Sequence, residues 1–187
     1  MSQTNRIEPI YRKIKALDID LIEESKLRVA VSHDDSRHCM SLTVIFTIPR
    51  LVVETIDCTM KQFPHEECLL AESALQEMVG MQVEPGIFKL LKNKEGGKGC
   101  IHLNNLFHEA CYAVIQGMGI YGRRQIEKLL PELDHLQLHK IIIMLWPEWL
   151  DTCVVYDAHS KSMCNVEKAQ LRLEGDELKD LLENQMI

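Results

Sequence analysis

"KLRVAVSHDDSRHCMSLTVIF", Lys26 to Phe46, decides the fold. Its first part alternates, with Leu27, Val29 and Val31 on one side of an extended chain. Its last part alternates again through Leu42, Val44 and Phe46. A period of two in segments rich in β-branched residues is the signature of half-buried strands. Between them the polar run "HDDSRH" has the composition of a turn, so the stretch reads as a β-hairpin. Working outward, "LVVETIDCTMKQF" after Pro49-Arg50 is a third strand, and a further strand around Ile7–Ala16 would precede the hairpin.

The period then changes. After Phe63-Pro64, "HEECLLAESALQEMVG" sets Leu69/Leu70, Ala74/Leu75 and Met78/Val79 at helical spacing. Glu66 and Glu67 suit the positive end of the helix dipole, and Gly80 is a natural stop. A glycine-bearing loop leads to a second helix with Leu103, Leu106/Phe107, Ala110 and Val114 as its buried stripe. Gly117 to Gln137 reads as a short helix ending near Pro131. The run "HKIIIMLWPEWLDTCVVYD", broken by Pro147, is open between helix and strand. A last amphipathic helix, Glu174–Gln185, carries Leu178, Leu181 and Leu182. Antiparallel strands followed by helices predict an α+β fold, a meander of three to four strands with helices on one face. The expected division is one α+β domain over 1–160 and an acidic C-terminal helical extension over 161–187.

Composition narrows the function. Apolar residues make up 46% of the 187 and charged residues 26%, a globular balance that argues against wholesale disorder. A net charge of −7, with Arg123–Arg124 as the one compact basic cluster, argues against a nucleic-acid partner. The start of the chain has no apolar signal-like core, and "IIIMLW" is too short to span a bilayer, so a cytoplasmic protein without a membrane partner is expected. Seven cysteines without a CxxC pair point to reduced thiols or metal ligands rather than a disulfide framework. No P-loop, Ser-His-Asp elbow or GxGxxG opening a helix is present.

The chemistry-bearing residues gather in a few places. "GKGCIHL" puts Cys100 and His102 two apart where a loop becomes a helix, and a thiolate is stabilised at such a terminus. An ordinary helix start would look the same. The hairpin turn packs His33, Asp34, Asp35, His38 and Cys39 into seven residues, suited to zinc, to iron, or to a base held by an acid. It would equally serve as a solvated turn, with Cys39 facing opposite to His38. His65 and Cys68 are three apart, a spacing that permits a shared helix face and a ligand pair without demanding either, and Cys68 fits the core as easily. Cys58, Cys111 and Cys164 fit the core, and Cys153 in "LDTCVVYD" does so by default.

"HDDSRHCMSLTVIF", "MVGMQVEPG", "GKGCIHLNNLF" and "WLDTCVVYD", in that order, resemble a bacterial family, the domain of unknown function 2889 family. The resemblance covers roughly Arg12 to Asp157 and places its motifs at Asp35-Ser36-Arg37-His38, Gly99-Cys100-Ile101-His102-Leu103 and Thr152-Cys153. The second motif has Ile101 where the family has Thr. The family implies no named activity. A fainter likeness is to the U-type iron–sulfur cluster scaffold proteins, which order a turn ligand, a ligand early in the next helix and one at a later helix start. Here these fall on His38, Cys68 and Cys100. Ser36 stands where that pattern has a turn cysteine, and Cys68 falls about one helical turn late.

Convergence of His38, Cys100 and His102 would supply mixed nitrogen and sulfur ligation for zinc or iron, or for an iron–sulfur cluster. Asp35, Cys68 or Cys153 would complete or support the set. Three readings stay open at this point. One is a metal- or cluster-binding module. Another is an enzyme for a small molecule with Cys100 or His102 as the catalytic group. The last is an accessory protein that binds a protein partner through its last helix or the patch at Trp146 and Trp149. A homodimer is compatible with each.

Overall fold

The computed structural model describes residues 8–84, 87 and 99–171. By its internal contacts the chain divides into two units, Met1–Gly117 and Met118–Ile187. The first is an open four-stranded antiparallel sheet, β1 (Lys13–Glu23), β2 (Lys26–Asp35), β3 (Cys39–Thr47) and β4 (Val52–Gln62), in the order β1-β2-β3-β4. The expected α+β meander is therefore the observed one. Its first strand starts later and runs longer than the expected Ile7–Ala16, because register with β2 extends from Lys13 opposite Asp35 to Glu23 opposite Lys26. Ile7 itself lies outside the described residues.

Alternation fixes the faces. Leu27, Val29 and Val31 of β2 and Met40, Leu42, Val44 and Phe46 of β3 are buried on one side, joined by Val53 and Ile56 of β4. The helix α2 (Ile101–Leu129) turns its own buried residues Leu103, Leu106, Phe107, Ala110 and Val114 toward this apolar face. A Cβ on Gly117 would lie 2.9 Å from Ile19, so the helix backbone comes close to β1 there. Lys15 of β1 also pairs with Glu109 of α2.

The segment after Pro64 departs from the expected helix in its face. It opens as a 3-10 helix, Glu66–Leu70, and only then becomes the short helix α1 (Ala71–Gln76). Ala71, Leu75 and Met78 are buried, whereas Leu69, Leu70 and Val79 are exposed. Three residues per turn in the opening segment rotate the apolar stripe away from the positions that a uniform 3.6-residue period would bury. Gly80, at φ +86°, ends the segment as expected.

The second unit receives the C-terminal part of α2, which runs unbroken to Leu129 in place of the expected separate short helix. Gly117 and Gly119 are therefore close-approach positions and not breaks. α3 (His135–Leu145) starts in a capping box, with Asp134 accepting from Leu136 and Gln137 N–H and the Gln137 side chain returning to the Asp134 N–H. It resolves the ambiguity of "HKIIIMLW" as helix, followed by a 3-10 turn, Pro147–Trp149. Ile126, Leu138, Ile141 and Ile142 form this unit's core, edged by Trp146 and Trp149. α4 (Lys161–Lys168) follows, capped by Ser160. The acidic helix expected at 174–185 lies outside the described residues, as do most of the loop residues before Gly99. Among the described residues no helix is long and apolar enough to cross a membrane.

Candidate functional site

The face that buries Leu27, Val29 and Val31 does not stop at the apolar residues. Two and four positions further along β2 come His33 and Asp35, and two positions before Met40 comes His38. The hairpin therefore carries three polar residues at the end of a core-facing surface. Their side chains are 3%, 5% and 12% exposed for His33, Asp35 and His38, which is far from a solvated turn. Cys39 has the opposite parity and pairs with Asp34 on the other face, as expected from alternation.

Asp35 organises the tip. One carboxylate oxygen accepts the backbone N–H of Arg37 and of His38, both at 2.8 Å, with His38 Nδ1 at 3.2 Å. The other faces His33 Nε2 at 2.8 Å and accepts the Tyr11 hydroxyl at 2.9 Å. The bond from His33, the backbone amide of Arg37 and the further donors hold the Asp35 carboxyl well below the usual carboxylate range. An ionised carboxylate only accepts, so the nitrogens facing it, His33 Nε2 and His38 Nδ1, carry protons. In the neutral imidazoles the lone pairs then sit on His33 Nδ1 and His38 Nε2.

α2 supplies the rest. Cys100 O accepts Asn104 N–H at 2.9 Å in the helix's first turn, and Cys100 Sγ lies 3.8 Å from His102 Nδ1. The His102 ring centroid is 4.0 Å from that of His38 and 5.5 Å from that of His33, and the two hairpin rings are 6.1 Å apart. Burial, with the adjacent His38 and His33, keeps His102 less basic than an ordinary imidazole. Cys58 of β4 stands opposite Leu42 and on the same face. Burial pushes its thiol up to about 11, with smaller contributions from Glu72 and Cys100.

The structure thus brings His38, His102, Cys100 and Asp35 together, and adds His33. The potential ligand atoms of His33, Asp35 and His38 lie within 4.8 Å of one another. Cys68 is half-buried on the 3-10 helix and does not belong to that group, and His65 is exposed. Cys153 belongs to the second unit, where it is exposed and not in a core. His33 is the residue that reading the hairpin as a polar turn undervalued; its parity with Val31 was the available signal.

The family described as Protein of unknown function (DUF2889) matches residues 10–116, more than half of the chain. The chain belongs to this DUF2889 family. The DUF2889 match includes the hairpin, Cys58, Cys100 and His102, and ends before Cys153. No curated protein and no solved structure matches the chain.

Proposed function

We propose that this DUF2889 protein binds one transition-metal ion, zinc or iron, between the hairpin tip and the start of α2. His38 Nε2, His102 and Cys100 Sγ are the ligands, His33 Nδ1 is the fourth donor, and Asp35 orients the imidazoles from behind. The observation that supports this reading is the convergence of three imidazoles from two elements, two of them backed by one carboxylate. Metal-bound histidines characteristically donate their second nitrogen to such a group, which fixes tautomer and ring orientation.

The spacing fits. A metal–nitrogen bond of about 2.0–2.1 Å in tetrahedral geometry sets two ligating ring centroids roughly 5 Å apart. The pairs at 5.5 and 6.1 Å exceed that separation by about 0.5 and 1 Å, and the pair at 4.0 Å has to open by about 1 Å. Asp35 already accepts from five donors, so its part is support and not ligation. Three imidazoles with one thiolate favour a single ion over an iron–sulfur cluster, which is held chiefly by thiolates.

The test is elemental analysis of protein purified without oxygen or chelator. About one zinc or iron per chain is expected, with His38→Ala and Cys100→Ser losing it. Full metal content in both variants, or wild-type protein that takes up neither ion after reconstitution, would refute the site. A second reading rests on the 3.8 Å approach of Cys100 to His102: Cys100 as a reactive thiol with His102 as its base, acting on a small molecule. It requires metal-free protein whose alkylation by iodoacetamide at Cys100 slows in His102→Gln.

A further inference from the structure

Away from the hairpin, two further imidazoles meet at the start of α3. His135 opens the helix and His139 follows one turn later, a spacing that sets two side chains on one face. Their ring centroids lie 4.2 Å apart, with planes inclined by 46°. His139 Nδ1 is 2.9 Å from the His135 carbonyl oxygen. A carbonyl only accepts, so Nδ1 carries the proton and the lone pair of neutral His139 sits on Nε2. A backbone carbonyl behind one ring nitrogen is what fixes the tautomer and orientation of many metal-bound histidines. His139 is half-buried, with the Tyr156 ring centroid 6.3 Å from its own. His135 is exposed, and among the described residues its ring nitrogens have no hydrogen-bond partner. One imidazole is held, and the other can turn toward a shared ion.

The spacing selects the ion. With metal–nitrogen bonds of about 2.0–2.1 Å, a tetrahedral angle sets two ligating ring centroids roughly 5 Å apart, and a right angle sets them roughly 4.5 Å apart. The observed 4.2 Å is nearer the second value. Right angles belong to tetragonal and octahedral sites, and nitrogen with oxygen donors in that geometry suits copper(II) or nickel(II). We infer that His139 Nε2 and a ring nitrogen of His135 chelate one divalent copper or nickel ion, with water in its other positions. The positive end of the helix dipole disfavours a cation beside His135. The Asp134 carboxylate, which caps the helix at that point, offsets this charge. Zinc, almost always tetrahedral in protein sites, fits the pair less well. This inference stands apart from the metal reading of the first unit, because the two sites share no residue and α3 belongs to the second unit.

Nickel(II) chloride titrated into the isotope-labelled full chain tests it, because paramagnetic nickel broadens the amide signals around the place where it binds. Signals of residues 134–140 should broaden as nickel is added, with or without any broadening at the hairpin. His135→Gln and His139→Gln keep a good helix former at each position. Each should raise the nickel concentration needed at α3 at least about tenfold. The double variant should lie little beyond either single one, since a chelate is lost with either arm. Zinc should displace nickel from α3 only in excess. An unbroadened α3 in the wild-type chain at about 1 mM nickel overturns the inference. So does unchanged broadening at α3 in either variant, whose helix content circular dichroism checks. Zinc that displaces nickel there at equal concentration also overturns it, because the right angle then does not set the choice of ion. Broadening confined to the hairpin counts against it as well, and leaves His135 and His139 as two rings that only pack together.

Discussion

At the scale of single residues the site turns on Asp35. Its carboxylate accepts from two backbone amides, two imidazoles and a tyrosine hydroxyl, so it shapes the turn and selects the tautomers together. Asp35→Asn replaces one acceptor oxygen by a donor that faces other donors. It should lower the melting temperature and weaken zinc affinity about 10- to 100-fold, as loss of such outer support does elsewhere; titration of metal-free protein with zinc checks this, and unchanged affinity would remove Asp35 from the site. His102 adds a pH dependence. Its folded form is less basic than the ordinary value of 6.5, so below that pH the unfolded chain binds more protons at this position than the folded one. Stability from His102 is complete above pH 6.5 and is lost as pH falls toward the folded value. Urea unfolding of metal-free protein between pH 7 and 5 should therefore show a steeper loss than His102→Gln, which cannot titrate; parallel curves would contradict the assignment. Much of this is legible in the sequence. Asp35, His38, Cys100 and His102 stand out by type and spacing. What a linear reading does not weigh is that His33 shares parity with Val31, which converts a polar turn into the end of a buried face.

At the scale of elements, hydrophobic period was a reliable guide where it was long and a poor one where local geometry shifted it. β2, β3 and the stripe of α2 bury the residues their alternation or helical spacing designates. The 3-10 opening at Glu66–Leu70 defeats the same logic, since its turn is tighter than the period assumed. The paired glycines of "QGMG" mislead in another way. They resemble a helix stop, yet α2 continues through them to Leu129 because their missing side chains are needed for packing. A Cβ on Gly119 would stand 2.6 Å from the rigid Trp149 indole. Gly119→Ala gains up to about 1 kcal/mol of helix propensity, while overpacking costs about 1–3 kcal/mol. The net should be destabilising, with Trp149 fluorescence altered in the native state. Gly119→Ala together with Trp149→Leu should recover part of the loss, and a more stable single variant would show that the indole moves aside at little cost.

At the scale of the whole molecule, the ligands proposed for zinc or iron come from places that only folding unites. His33 and His38 are held by hairpin register, while Cys100 and His102 follow more than sixty residues later on a helix anchored by Leu103, Leu106 and Phe107. The unfolded chain cannot present that set at once, so metal affinity must appear as folding stability of the first unit. The second unit has its own core around Ile126, Leu138, Ile141 and Ile142 and contributes none of those ligands. Zinc at about 100 times its Kd should add about 2.7 kcal/mol to the first unit, equivalent to a rise in Tm of roughly 10 °C for a unit of this size. Calorimetry with and without zinc reads this directly. If the units melt in separate steps, one step moves with zinc and the other stays. If they melt together, the single transition moves by less, because the same free energy is spread over a larger unfolding entropy. In either case His38→Ala and Cys100→Ser should remove the shift while leaving the metal-free transition in place. A zinc-induced rise of the same size in both variants would mean that the ion binds elsewhere, and the convergence of three imidazoles would then be a feature of packing alone.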